Sequence, residues 1–181
     1  MDKPKIATTS LAGCFGCHMS LIDIDDRILK LIQLVDFHKS PIDDIKKFSE
    51  RCLVGLIEGG CCNEENVKVL KQFRKNCDIL ISVGDCAIMG GLPAMRNGIP
   101  LNECLEEAYL KGPSVYNPSN KIPNDPELPL ILDRVYACDE VVKIDFKIAG
   151  CPPPADTLWT AMVALLNGKP LELAYEMIKY D

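Results

Sequence analysis

Short apolar runs alternate with helix-like segments along this chain, and no other feature constrains its fold as strongly. The runs at 53–57, 79–83 and 141–148 are rich in apolar residues, which is typical of strands buried on both faces of a parallel sheet. A fourth strand is predicted from Lys5 to Leu11. Strands that alternate with helices form parallel units with right-handed crossovers. The sequence therefore predicts an open, doubly wound, mainly parallel α/β sheet with helices on both faces.

The helical segments complete this prediction of a flavodoxin-like fold. Apolar residues at helical spacing predict helices at 19–34, 64–76 and 101–110, a helix capped by Asp156 or Thr157 that runs to Leu166, and a last helix at 171–178. A proline-rich stretch at 112–129 is predicted to be irregular, and long irregular segments are usually functional or in contact with a partner. With 181 residues, the chain is expected to form one domain, 1–181.

Composition and charge exclude several classes of partner. The net charge is −6, whereas proteins that bind the phosphates of nucleic acids, or anionic membrane surfaces, are basic. No apolar run approaches the roughly 20 residues of a membrane span. The segment from Met1 to Lys5 contains no hydrophobic leader and no twin arginine, so a cytoplasmic location is predicted.

Ten cysteines are the unusual part of the composition. Four of them directly follow predicted strands: Cys14 and Cys17 the first, Cys86 the third and Cys151 the fourth. The carboxyl ends of parallel strands lie at one edge of the sheet, where ligands bind, so these four thiols are expected to converge. Four thiolates can hold a 4Fe–4S cluster. A redox-active dithiol, a structural zinc site and buried core cysteines remain alternatives on spacing alone.

Residues around the four cysteines suit a buried anionic group. Gly13, Gly16, Gly84 and Gly150 predict turns with positive φ and close backbone approach. Glu58 ends the second strand at the same edge, where its carboxylate is expected to relay protons or to accept hydrogen bonds from the cysteine loop. We expect Cys61 and Cys62 to lie near the site on the solvent or partner side. His18 is expected to form a hydrogen bond or to couple protons to electron transfer. Core packing is expected for the remaining four cysteines: Cys52, Cys77, Cys104 and Cys138.

Four motifs in this order resemble the small subunit of NiFe hydrogenases. They are CFGC, EGG, VGDCAIMGG and GCPPPAD, one after each predicted strand. The resemblance covers nearly the whole chain and implies that Cys14, Cys17, Cys86 and Cys151 bind the proximal 4Fe–4S cluster. The stretches GCFGCHMSLIDIDDRIL, GLIEGGCCNEENV, GGLPAMRN and LELAYEMIKYD resemble one branch more closely, the small (delta) subunit of cytoplasmic NAD-reducing hydrogenases.

The resemblance also implies a division of labour among subunits. A large subunit would hold the Ni–Fe centre, and diaphorase subunits would hold FMN, further iron–sulfur clusters and NAD. The complex would catalyse reversible H2 oxidation coupled to NAD+ reduction, with this chain transferring electrons. One alternative is the related quinone-reducing cluster subunit of complex I, which carries adjacent cysteines where this chain has the spaced pair Cys14 and Cys17. Two others are a flavin-binding flavodoxin-like module, whose Ser/Thr-rich phosphate loop is missing here, and a zinc-stapled interaction protein.

Overall fold

A five-stranded parallel sheet forms the centre of the computed structural model, which describes residues 3–43 and 45–178. The start of the Met1–Lys5 segment and the end of the LELAYEMIKYD stretch lie outside these residues. The strands are β1 (Lys5–Ser10), β2 (Asp36–Lys39), β3 (Cys52–Glu58), β5 (Cys77–Val83) and β7 (Phe146–Ile148). Their order in the sheet is β2-β1-β3-β5-β7, with every neighbouring pair parallel. This order confirms the predicted flavodoxin-like, doubly wound sheet.

Helices cover both faces of the sheet and form two separate cores. On one face, Leu21, Leu31 and Leu158 pack against β1, β3, β5 and β7. On the other face, Leu70 and Phe73 pack against Ala7, Ile57 and Leu80. The helices are α1 (Gly16–Ile22), α2 (Arg27–Leu34), α3 (Glu64–Asn76), α4 (Asp85–Met89), α5 (Leu101–Glu106) and α6 (Ala155–Leu166). Among the helices of the described chain, none is both long and apolar enough to cross a bilayer.

A small antiparallel sheet lies beside the main one. Its strands are β4 (Cys61–Asn63) and β6 (Ile131–Tyr136), so it joins the end of β3 to the chain that follows the proline-rich stretch. Residues 112–129 contain neither helix nor strand, as predicted. Short 3-10 turns occur at Leu92–Gly98, Cys138–Glu140 and Tyr175–Met177, and a π turn at Glu107–Lys111 extends α5.

Several predicted elements have different bounds in the structure. The helix predicted at 19–34 is two helices, because Asp25 adopts a left-handed φ of 60° and interrupts it. The strand predicted at 141–148 is confined to Phe146–Ile148, since a 3-10 turn precedes it, and the helix predicted at 171–178 is only a 3-10 turn. Asp156 and Thr157 lie inside the first turn of α6, where Pro154 is the capping residue.

Candidate metal centre

Four thiols lie together at the carboxyl edge of the parallel sheet. Cys14 and Cys17 follow β1, Cys86 lies in α4 directly after β5, and Cys151 follows β7. Cys14 and Cys151 are exposed, whereas Cys17 and Cys86 are half-buried. The structure therefore brings together all four cysteines that the sequence singled out.

The pKa values of Cys17 and Cys86 are affected by the negative charges of the neighbouring thiols. Burial raises the pKa of the Cys17 thiol strongly, and the negative charges of Glu58, Cys86, Cys14 and Cys151 raise it further. Burial also raises the pKa of Cys86, with Cys151 and Cys14 adding to the effect. The thiolate forms of Cys17 and Cys86 are thus disfavoured, and a positively charged partner such as a metal ion would favour them.

A glycine lies beside each of three of the four sulfur atoms. A Cβ placed on Gly84 would lie 2.3 Å from the Sγ of Cys17, and one on Gly91 would lie 2.9 Å from the Sγ of Cys86. A Cβ on Gly16 would lie 3.1 Å from the Sγ of Cys14. These glycines leave the space in which the sulfur atoms sit. The donor set and this cradle fit an iron–sulfur cluster, whose bulk and negative charge call for close backbone approach.

Positive φ angles occur at some of the predicted glycines but not at others. Gly84 and Gly150 have φ values of 82° and 140°, as predicted. The prediction was wrong for Gly13 and Gly16, because Phe15 adopts the left-handed conformation (φ 67°) at the start of α1. The ring of Phe15 stacks on His18 with centroids 4.5 Å apart, and this contact accompanies the unusual backbone.

Glu58, at the end of β3, forms hydrogen bonds with the segment that contains Cys17 and His18. Its buried carboxylate accepts hydrogen bonds from the backbone N–H groups of Cys17 (3.4 Å) and His18 (3.1 Å), and it is paired with the His18 imidazole Nδ1. The other imidazole nitrogen, Nε2, is buried and contacts no hydrogen-bonding group of the described chain. Of the two roles predicted for Glu58, the hydrogen bonds to the cysteine loop are observed. His18 has the predicted polar contact at a helix start.

Two further polar residues connect the segments that contain the four cysteines, and sequence reasoning assigned neither a role. The Asp85 carboxylate accepts a hydrogen bond from the N–H of Gly150 (2.9 Å). The Ser20 hydroxyl of α1 donates to the carbonyl of Pro153. Asp85 lies between Gly84 and Cys86 in the sequence, and this position next to a clustered cysteine was the available signal.

The other six cysteines divide into buried pairs and peripheral thiols. Cys52 and Cys77 are register partners on β3 and β5, and the Cys138 thiol, in the same core cluster as Cys61, donates to the carbonyl of Gly59 at 3.4 Å. All four are fully buried, which confirms core packing for three of them but not the peripheral position predicted for Cys61. Cys62 is half-buried, and its thiol donates to Asn66. Cys104 is half-buried on α5 and not in the core.

The arrangement of the described side chains bears on whether the site could hold a single metal ion. Across residues 3–43 and 45–178, no three His, Cys, Asp or Glu side chains are close enough to hold a single metal ion. The four thiols thus share one edge without forming a site for a single metal ion in the part of the chain that the structure describes.

Comparison with known proteins identifies the family. Residues 14–165 match the family described as NADH ubiquinone oxidoreductase, 20 Kd subunit. The chain belongs to this family. The match begins at the first of the four clustered cysteines and extends through α6.

Within the NADH ubiquinone oxidoreductase 20 Kd subunit family, similar relatives are hydrogenase subunits. The chain is 46% identical over 181 residues to the NAD-reducing hydrogenase HoxS subunit delta of Cupriavidus necator, covering 99% of this chain and 86% of the relative. It is 37% identical over 174 residues to an F420-non-reducing hydrogenase subunit of Methanothermobacter thermautotrophicus, covering 95% of this chain but 56% of that relative.

A solved structure agrees with the sequence comparison. One chain in a crystal structure of an NAD+-reducing NiFe-hydrogenase in the H2-reduced state superposes with a TM-score of 0.95 at 46% identity, covering 99% of both chains. The resemblance to the small (delta) subunit of NAD-reducing hydrogenases is therefore confirmed.

Proposed function

We propose that Cys14, Cys17, Cys86 and Cys151 bind one 4Fe–4S cluster and that residues 1–181 act as a single iron–sulfur domain. The convergence of the four thiols carries this proposal, because Cys14 and Cys17 follow β1, Cys86 follows β5 and Cys151 follows β7 at one edge of the parallel sheet. The glycine cradle supports it, since ordinary side chains at Gly84 or Gly91 would occupy the space beside two of the sulfur atoms.

In the proposed assembly, this chain is the electron-transfer small subunit of an NAD-reducing hydrogenase in the cytoplasm. A large subunit holds the Ni–Fe centre, and diaphorase subunits hold FMN and further iron–sulfur clusters and reduce NAD+. The relatives of this family are named as hydrogenase subunits, and the four thiols lie at a sheet edge that a large subunit can cover.

The residues of this chain would hold the metal group, keep it in place and limit its exposure to water. When bound, the cluster supplies one-electron transfer. The loops after β1, β5 and β7 provide its ligands from a rigid sheet edge, and rigid strands fix ligand positions better than isolated loops do. Glu58 fixes the loop that contains Cys17 through two backbone N–H groups. A proton relay through the same carboxylate is proposed as a second role for Glu58.

Cysteine-to-serine substitution tests the ligand assignment. In the complex co-purified with its partner subunits, C14S, C17S, C86S and C151S are each expected to lower iron and acid-labile sulfide and to abolish H2-dependent NAD+ reduction. The matched controls C62S and C104S, two half-buried thiols outside the group, should retain both. Zinc in place of iron and sulfide, or equal losses in all six variants, would overturn the assignment.

Quinone reduction is the second candidate, because the family is described by a subunit of NADH ubiquinone oxidoreductase. The two activities are separated by the electron acceptor. Hydrogen-dependent reduction of NAD+ by the purified complex, without added quinone, supports the hydrogenase proposal. Quinone reduction by NADH without hydrogen turnover would favour the alternative.

A further inference from the structure

Asp85 connects two of the proposed ligand loops in a way that the cysteine pattern does not reveal. Its backbone N–H donates to the carbonyl oxygen of Gly150 at 3.0 Å, and its carboxylate Oδ1 accepts from the N–H of Gly150 at 2.9 Å. Both backbone polar groups of Gly150 are thereby bound to one residue. Asp85 directly precedes Cys86, and Gly150 directly precedes Cys151.

The same pair of bonds occurs at the opposite end of the same two strands. The backbone N–H of Asp145 donates to the carbonyl oxygen of Leu80 at 2.9 Å, and its Oδ2 accepts from the N–H of Leu80 at 2.8 Å. Between these two aspartates, β5 and β7 are paired only over Ile81–Val83 and Phe146–Ile148. One aspartate therefore forms hydrogen bonds between the two chain segments at each end of this short pairing. Only Asp85 lies at the end next to Cys86 and Cys151.

The surroundings of Gly150 explain why its backbone needs holding. Gly150 has a φ of 140°, and a Cβ there would lie 2.5 Å from the Cα of Pro153. The following residue, Cys151, is exposed, so packing does little to fix its position. Asp85 is only 9% exposed, so little water is available to replace its side-chain hydrogen bond to Gly150.

We infer that Asp85 is a positioning residue that fixes Cys151 relative to Cys86. This inference rests on the proposed function, in which both cysteines bind one cluster. The carboxylate contacts no ligand directly and acts through the backbone of Gly150. Substitutions of residues that orient metal ligands typically cost about 10–100-fold in metal affinity, so loss of the carboxylate is expected to have an effect of that order.

The test compares D85A with D85N in the co-purified complex, and D145A serves as the matched control. Asparagine keeps an Oδ1 that accepts the Gly150 hydrogen bond, whereas alanine removes it. Iron release to a ferrous chelator under anaerobic conditions is expected to be about 10–100-fold faster in D85A and close to wild type in D85N. D145A should lower the melting temperature of the complex without accelerating iron release.

Two further measurements separate positioning from general loss of stability. Hydrogen exchange at residues 147–152 should accelerate in D85A and not in D145A. The low-temperature EPR spectrum of the reduced cluster should change in D85A and be restored in D85N. Wild-type iron release in D85A, or equal acceleration in D85A and D145A, would overturn the inference. Wild-type protein without iron and sulfide would instead refute the proposed function.

Discussion

At the scale of single residues, the site is defined by small residues and hydrogen bonds as much as by its cysteines. Gly84 combines a φ of 82° with a position at which a Cβ would lie 2.3 Å from the Sγ of Cys17. We expect G84A to displace that thiol and to lower iron content by at least about tenfold, which is the effect of losing a residue that orients a metal ligand. G98A is the matched control, because a Cβ at Gly98 meets nothing within 4 Å. Equal iron content in both variants would contradict this interpretation of the cradle.

Glu58 makes a second prediction at the same scale. In E58Q one amide oxygen can still accept from the backbone, but the amide NH2 would face an N–H donor of Cys17 or His18. Hydrogen exchange at residues 14–20 should therefore accelerate, since a buried donor without an acceptor costs about 1–3 kcal/mol. If proton relay is also a role of Glu58, turnover should slow while iron content is retained. Unchanged exchange and unchanged turnover across pH would reduce Glu58 to an ordinary buried residue.

At the scale of elements, the sequence predicted what depends on local pattern. The helix at Glu64–Asn76 has the predicted bounds because Asn63 caps it, with its side chain accepting from the N–H of Asn66. The strands β3 and β5 were predicted within two residues because both are buried runs. The grouping of the four cysteines follows from the same logic, since parallel strands place their carboxyl ends together.

Elements that depend on distant contacts were missed. β2 is a four-residue edge strand whose residues are mostly half-buried, so it has no apolar run to mark it. β6 pairs with only three residues of β4 and is largely exposed. The role of Asp85 was equally hidden, because its partner Gly150 is 65 positions away. None of these features leaves a periodic signal in the sequence.

Arg74 provides a prediction about how the elements are held together. Its guanidinium donates to the Asp145 carboxylate and to the carbonyls of Cys77, Asp78 and Lys143, so it joins α3, β5 and the start of β7. We expect R74M to lower the melting temperature by roughly 4–10 °C, from about 2–3 kcal/mol of lost charged hydrogen bonds.

The control for this prediction is R51M. Arg51 also pairs with an aspartate, Asp78, but its side chain is 61% exposed, and exposed pairs contribute about 0–1 kcal/mol. Its melting temperature should therefore stay close to wild type, and iron content should be unchanged in both variants. If R51M lowered the melting temperature as much as R74M does, burial of the arginine would not determine its contribution to stability.

At the scale of the whole molecule, apolar side chains are exposed next to the cysteine edge. Leu92 is 68% exposed and Met95 is 73% exposed, and both lie in the turn that follows α4 and Cys86. Exposed apolar patches of this kind mark protein interfaces. The proposed large subunit would cover this surface together with the proline-rich stretch at 112–129, where Tyr116 is 90% exposed.

Substitution of Met95 tests this surface. M95D should weaken association with the large subunit by at least about tenfold, because a charge would be buried in an apolar contact. L29D is the control, since Leu29 is 58% exposed on α2, a different element. Hydrogen exchange at 86–99 and 112–129 should slow on complex formation. Equal affinities for M95D and L29D, without such protection, would place the interface elsewhere.

The sheet order described above has a consequence for the synthesis of the chain. Cys14 and Cys151 are separated by 137 positions, and the strand that leads to Cys151 is the last of the five along the chain and lies at the sheet edge beside β5. At translation rates of about 5–20 residues per second, Cys14 is synthesised roughly 7–27 s before Cys151. The four-thiol group is therefore complete only after residues 1–151 have been synthesised, and the proposed cluster cannot find all four ligands before then.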